Sequence, residues 1–169
     1  MSVSIILIPA AIAAIASMAA GGAATAGVGA GIAGAIRSMS GGGNQPEVLQ
    51  VRTRMKDRGL LAQALEDLGA VDVEVGDEVA ATVDGVKLLM QPSPEGIWAA
   101  NFTAVKGAPE VTTAIATKLA ERLDAAYAAR VQTAVAERIR EKATDAGLEL
   151  VSETVDDDQS VTMTLNVRA

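Results

Sequence analysis

Three consecutive aspartates, Asp156-Asp157-Asp158, are the chain's most conspicuous cluster of oxygen ligands. A calcium loop of the EF-hand type needs ligands at alternate positions, a central glycine and a closing glutamate. This run lacks that pattern and reads as a solvated turn. Glu66 with Asp67, and Glu137 with Glu141, are spaced to act as acid and base, but each pair falls on a predicted helix where solvation and charge patterning account for it. The chain has 0 His and 0 Cys. That excludes Ser-His and Cys-His catalysis, thiolate and His-containing zinc sites, and disulfides. An enzyme would have to work with carboxylate, Lys, Tyr or Ser. The expectation is a non-enzymatic protein with no catalytic residues, cofactor or metal.

Two further groups could recognise something. Arg52, Arg54 and Lys56 alternate with Val51, Thr53 and Met55, as on one face of a strand. A basic face of this kind can contact a protein partner or anionic lipid, or simply guard a solvated edge. Trp98 and Phe102 share one face of a later strand, where a lone Trp serves as a core anchor, with Asn101 beside it as a polar contact.

Charge is distributed unevenly. The net charge is −7, yet Arg37 is the only charged side chain before Glu47, so the acidity lies in the later part of the chain. That argues against nucleic-acid binding. The uncharged stretch Val3 to Ile36 is Ile/Leu/Ala-rich up to Ala20 and Gly/Ala-rich from Gly21. It contains no Gly-Lys-Ser/Thr phosphate loop. Residues 1–37 are expected to form an apolar helical arm: one long tilted transmembrane helix, or a hairpin turning near Gly21-Gly22. Small residues four apart, along Gly22, Ala26, Ala30 and Gly34 and along Gly27 and Gly31, form small-xxx-small ridges suited to self-association. Burial in a protein assembly and a cleaved or disordered leader are the other readings; Met1-Ser2-Val3-Ser4 carries no positive charge for a signal peptide. By the positive-inside bias, Arg37, Arg52, Arg54 and Lys56 would keep the C-terminal domain cytoplasmic.

Residues 38–46, with Ser40-Gly41-Gly42-Gly43-Asn44, read as a flexible linker, and residues 47–169 as the folded domain. In that domain Val48 to Met55 reads as a strand. Asp57 caps a helix through Leu61 and Leu65 that Gly69 ends. Strands come next at Val71 to Val75, Val79 to Val83, Val86 to Met90 and Ile97 to Val105, the middle pair joined by an Asp84-Gly85 hairpin turn.

Pro109 to Ala146 reads as helix, with apolar anchors every four residues at Val111, Ile115, Leu119, Leu123, Tyr127, Val131, Val135 and Ile139. A strict step of four drifts about 40° per step around an α-helix, so the stripe winds about the axis. Either the helix bends or breaks near Ala125 to Ala129, or its halves meet different partners, one of which could be another subunit. Leu148 to Val155 and Ser160 to Val167 close the chain as a hairpin. The fold class is α+β, a mostly antiparallel sheet with helices on one face, preceded by the arm.

Val48 to Ala70 (VLQVRTRMKDRGLLAQALEDLGA) opens with a basic strand, a Lys-Asp turn and a helix ending in ALEDLG. Leu123 to Val131 carries Tyr127 and Val131 in an RYA…V-like segment, and Gly147 to Leu165 an acidic hairpin. In these respects the chain resembles the hypothetical chloroplast open-reading-frame thirty-five proteins, an uncharacterised family of cyanobacteria and plastids. The resemblance covers roughly half the chain; the family's aromatic-rich centre is missing and the apolar arm is added. It implies an accessory role and supplies no active-site residues.

Taken together, the expectation is a membrane-associated structural or assembly protein and a homo-oligomer. Its arm inserts in lipid or packs with copies of itself, and its acidic cytoplasmic domain binds a protein partner. The alternatives are a pore-forming effector of a bacterial system and a subunit of a soluble shell or filament.

Overall fold

The computed structural model describes residues 2–7, 36–39, 48–157 and 160–167. In chain order the elements are β1 (Ser2–Leu7), β2 (Ile36–Met39), β3 (Val48–Arg52), α1 (Arg58–Asp67), β4 (Val71–Val75), β5 (Val79–Val83) and β6 (Val86–Pro92). They continue with β7 (Trp98–Ala104), α2 (Thr113–Asp145), β8 (Leu148–Val155) and β9 (Val161–Val167). The fold is α+β, with two antiparallel sheets and two helices among the described residues. The chain divides into two compact units, Ala24–Tyr127 and Met1–Ala23 with Ala128–Ala169.

In the unit Ala24–Tyr127 the strand order is β2-β3-β7-β6-β5-β4. Alternation decides which face is buried. Leu49 and Val51 of β3, Val79, Ala81 and Val83 of β5, Val86, Leu88 and Met90 of β6, and Trp98, Ala100 and Phe102 of β7 form one core. Leu61, Ala64 and Leu65 of α1 and Ala116, Leu119, Ala120 and Leu123 of α2 complete it, so both helices pack on the same face of that sheet.

The local signals work as expected. Asp57 Oδ1 accepts from the Leu60 N–H at 2.9 Å, and Gly69 ends α1 at φ 74°. Asp84 and Gly85 turn the β5–β6 hairpin with φ of 51° and 77°, the signs of a type I′ turn.

The other unit is a three-stranded sheet, β1-β9-β8. Leu7, Ala136, Val161 and Met163 form its buried centre, joined by Ile5, Val135, Ile139 and Leu150. The long helix runs unbroken from Thr113 to Asp145. It does not break near Ala125 to Ala129, and its halves meet different partners: each half has its own core, and the second partner is a sheet of the same chain. The buried stripe changes phase between Tyr127 and Gln132. Alanines carry much of it, at positions 116, 120, 136 and 143, while the expected anchor Ile115 is 42% exposed.

Three expectations need correction. The folded part holds two sheets rather than one. At the start of the arm, Ser2–Leu7 is strand β1, antiparallel to β9 without interruption from Ser2↔Asn166 to Leu7↔Val161. Val3, Ile5 and Ile6 are β-branched, and Ser2-Val3-Ser4-Ile5 alternates with period two, which favours a strand over a helix. At its end, Ile36 and Arg37 of the arm and Ser38 and Met39 of the linker form strand β2, antiparallel to β3. Gly22, Ala26, Gly27, Ala30, Gly31 and Gly34 lie outside the described residues, as do residues 40–46 of the linker.

Candidate functional site

The basic residues of the sequence lie where β3 ends and α1 begins. Strand pairing stops at Arg52, and Thr53 to Asp57 cross to the helix held by polar contacts. The Thr53 hydroxyl donates to the Trp98 carbonyl oxygen, and the Trp98 N–H donates to the Met55 carbonyl oxygen at 2.9 Å. Trp98 Nε1 donates to the Lys56 carbonyl oxygen at 3.1 Å. From α2, the Tyr127 hydroxyl oxygen accepts the N–H of Lys56 at 3.1 Å and of Asp57 at 2.9 Å. Trp98 is therefore a core anchor whose polar edge also fixes the approach to α1.

Arg54 does not stand free. Its guanidinium grips the Asp124 carboxylate at two points, Nε to Oδ1 at 2.9 Å and Nη2 to Oδ2. The Arg54 side chain is 38% exposed and that of Asp124 16%, so the pair is half-buried. A bidentate fork of this kind adds geometric definition to its charge. With Val51, Met55, Ala100 and Leu123 it lines a recess of about 60 Å³, room for a water or two. Arg52 and Lys56 remain exposed. Of the three cations singled out in the sequence, two are available for an external contact and the third is committed within the fold.

The carboxylates are not brought together. Glu66, Asp67, Glu137 and Glu141 are all exposed on their helices. Among the described residues no three acidic, His or Cys side chains converge on a metal-sized position. Asp156 closes the β8–β9 turn, its N–H donating to the Ser160 carbonyl oxygen at 2.9 Å. Asp158 lies outside the described residues.

A feature not anticipated from the sequence occupies the sheet face turned away from the helices. Gln50 Nε2 donates to Asn101 Oδ1 at 3.1 Å, and Asn101 Nδ2 donates to Gln91 Oε1 at 3.0 Å and to the Leu89 carbonyl oxygen at 3.3 Å. Gln91 Nε2 continues the row to Glu78 Oε1 at 2.6 Å. The signal was present: three amides, Gln50, Gln91 and Asn101, at outward positions of strands whose inward positions are apolar. Their donors and acceptors satisfy one another, which makes the row a cross-strand tie.

In the other unit, Arg140 holds Glu153 by two hydrogen bonds, one of them Nε to Oε2 at 3.0 Å. The Arg140 hydrogen bond, reinforced by its charge, lowers the Glu153 carboxyl below its ordinary range, against a smaller opposing effect of burial.

A scan against protein-family models, a search of curated proteins and a search of solved structures found no match to this chain.

Proposed function

We propose that this chain is a non-enzymatic, membrane-associated assembly protein. An uncharged loop, residues 8–35, associates with lipid or with copies of itself, and the acidic folded part on the cytoplasmic side binds a protein partner. The observation that carries the reading is the placement of that loop. Residues 8–35 contain no Asp, Glu, Lys or Arg, and strands β1 and β2 bracket them.

The pairing of β1 with β9 favours the hairpin form of the arm over the single span. A single crossing would separate β1 from β2, and β1 could reach β9 only if the chain between β2 and β9 crossed back. No helix of the described residues is long and apolar enough to cross a membrane. A hairpin turning at Gly21-Gly22 has legs of about 13 residues, roughly 20 Å at 1.5 Å per residue, against some 30 Å of hydrocarbon. Legs of that length enter one leaflet or pack against other copies, which weighs against the perforating alternative. Exposed Arg52 and Lys56 are the candidate contacts for anionic headgroups or an acidic partner. The resemblance to the plastid and cyanobacterial family agrees with an accessory role.

The test is flotation with phosphatidylcholine–phosphatidylglycerol vesicles. The full chain is compared with a variant in which residues 8–35 are replaced by a short Gly-Ser loop, leaving β1 and β2 in place. The full chain is expected to float and the variant to stay in the dense fraction. A full chain that stays down as a large soluble particle would overturn the membrane reading in favour of a shell or filament.

A further inference from the structure

We infer that the edge of β1 left unpaired by the described residues is a self-association site, at which a second copy of this chain adds its own β1 antiparallel and joins the two β1-β9-β8 sheets into one. The self-association does not depend on where residues 8–35 reside. Its basis is a difference among the four sheet edges, because an unpaired edge strand exposes a row of N–H and C=O groups that natural proteins normally guard.

Three edges carry guards. β8 is bulged between Leu150 and Ser152 and bears Glu149 and Glu153. β4 has a register shift between Val71 and Glu74 and holds Asp72 at φ 54°. β2 spans only 4 residues. Among the described residues β1 has no such device. Its sequence SVSIIL contains no charge and no proline, and its pairing with β9 runs through 6 successive residues without a shift. Among the described residues nothing pairs with its outer edge. Val3 is 49% exposed and Ile6 59%.

The pattern also favours a second copy over a foreign peptide. An edge without charge offers nothing to select a charged partner, whereas antiparallel self-pairing is isologous and satisfies both edges by one two-fold axis. Centred on Ser4, it sets Val3 opposite the partner's Ile5 in both directions, extending the apolar face that Ile5 and Leu7 begin. The outward face then has Ser4 opposite its own copy.

Because the chain has 0 Cys, Ser4→Cys in the full chain supplies a clean test. Directly opposed residues of an antiparallel pair have Cα atoms about 4.5–5.5 Å apart, within disulfide reach. Under mild oxidation in detergent micelles, Ser4→Cys is expected to cross-link to a covalent dimer at least tenfold faster than Val151→Cys, an exposed position on the guarded strand β8. Equal rates would overturn the proposal. A charge pair provides the second reading, in sedimentation velocity on the chain with the Gly-Ser loop in place of residues 8–35. Ser4→Lys and Ser4→Glu should each run as monomers and their mixture as a dimer; a wild-type edge that stays monomeric at every concentration, or a mixture no more dimeric than its components, overturns it.

Discussion

The side-chain amide of Gln132, on α2, donates to the backbone carbonyl oxygen of Leu7 at 3.0 Å, across 125 residues of sequence. Gln132 is 6% exposed and Leu7 8%. Leu7 is the last residue of β1, so the bond fastens the C-terminal end of that strand. This polar contact and the apolar packing of Leu7 with Ala136, Val161 and Met163 make the chain's first strand part of a core.

Gln132→Leu should therefore cost more than its loss of one hydrogen bond. It leaves the buried Leu7 carbonyl without this partner, a penalty of about 1–3 kcal/mol. Urea denaturation would read it. Gln50→Ala, at the end of the part-buried amide row, is expected to cost less than half as much.

The clamp on the Thr53–Asp57 segment makes a second prediction. Tyr127→Phe removes the acceptor of two exposed backbone N–H groups that water can partly satisfy, a loss of about 0.5–1.5 kcal/mol. A double-mutant cycle on Arg54→Ala and Asp124→Ala should give a coupling of about 1 kcal/mol or less, as befits a half-exposed pair. The single tryptophan, Trp98, reports both unfolding transitions by fluorescence.

The hairpin turn can be tested by one methyl group. A Cβ at Gly85 would meet only Ala108 Cβ, at 3.9 Å, so space is not the obstacle. Backbone conformation is: φ is 77°, and an L-residue there is strained by about 1–2 kcal/mol. Gly85→Ala should lower the melting temperature without altering the fold, whereas Gly85→Asn should lower it less.

The turns, the α1 cap and strands β3 to β7 of the larger sheet were legible because each rests on a local signal: Asp57, Gly69, Asp84-Gly85, and alternation around Leu88 and Phe102. Strand β1 was obscured by its context. The period-two alternation covers only Ser2 to Ile5 and runs without a charge into Ile6 to Ile8 and the alanines beyond, too short a signal to separate strand from helix within a continuous apolar run. Its partner β9 is also 154 residues or more away, and long-range pairing leaves no mark in local sequence. The basic alternation of Arg52, Arg54 and Lys56 was visible, but the capture of Arg54 by Asp124 depends on how α2 packs.

Acid stability gives a further test. The Glu153 carboxyl is held below its ordinary range chiefly by the Arg140 hydrogen bond. A lowered folded value means that the pair's contribution is fully present above the unfolded-state glutamate pKa, near 4.3, and is lost as pH falls through the folded value. Melting temperature against pH should thus fall more steeply on the acid side for the wild type than for Glu153→Gln. The difference is small, under about 1 kcal/mol, because both side chains are solvent-accessible.

The central claim is that the uncharged loop leaves and re-enters the fold on one side of the membrane. Single cysteines at Ile6, exposed on β1, and at Lys106, exposed between β7 and α2, place a label on either side of that loop in sequence. The full chain, recovered in the floated fraction of intact vesicles, is treated with a membrane-impermeant maleimide before and after detergent. Both sites should react equally and completely before detergent is added. Reaction at one site only after detergent would place the two sites on opposite sides of the membrane and contradict the account.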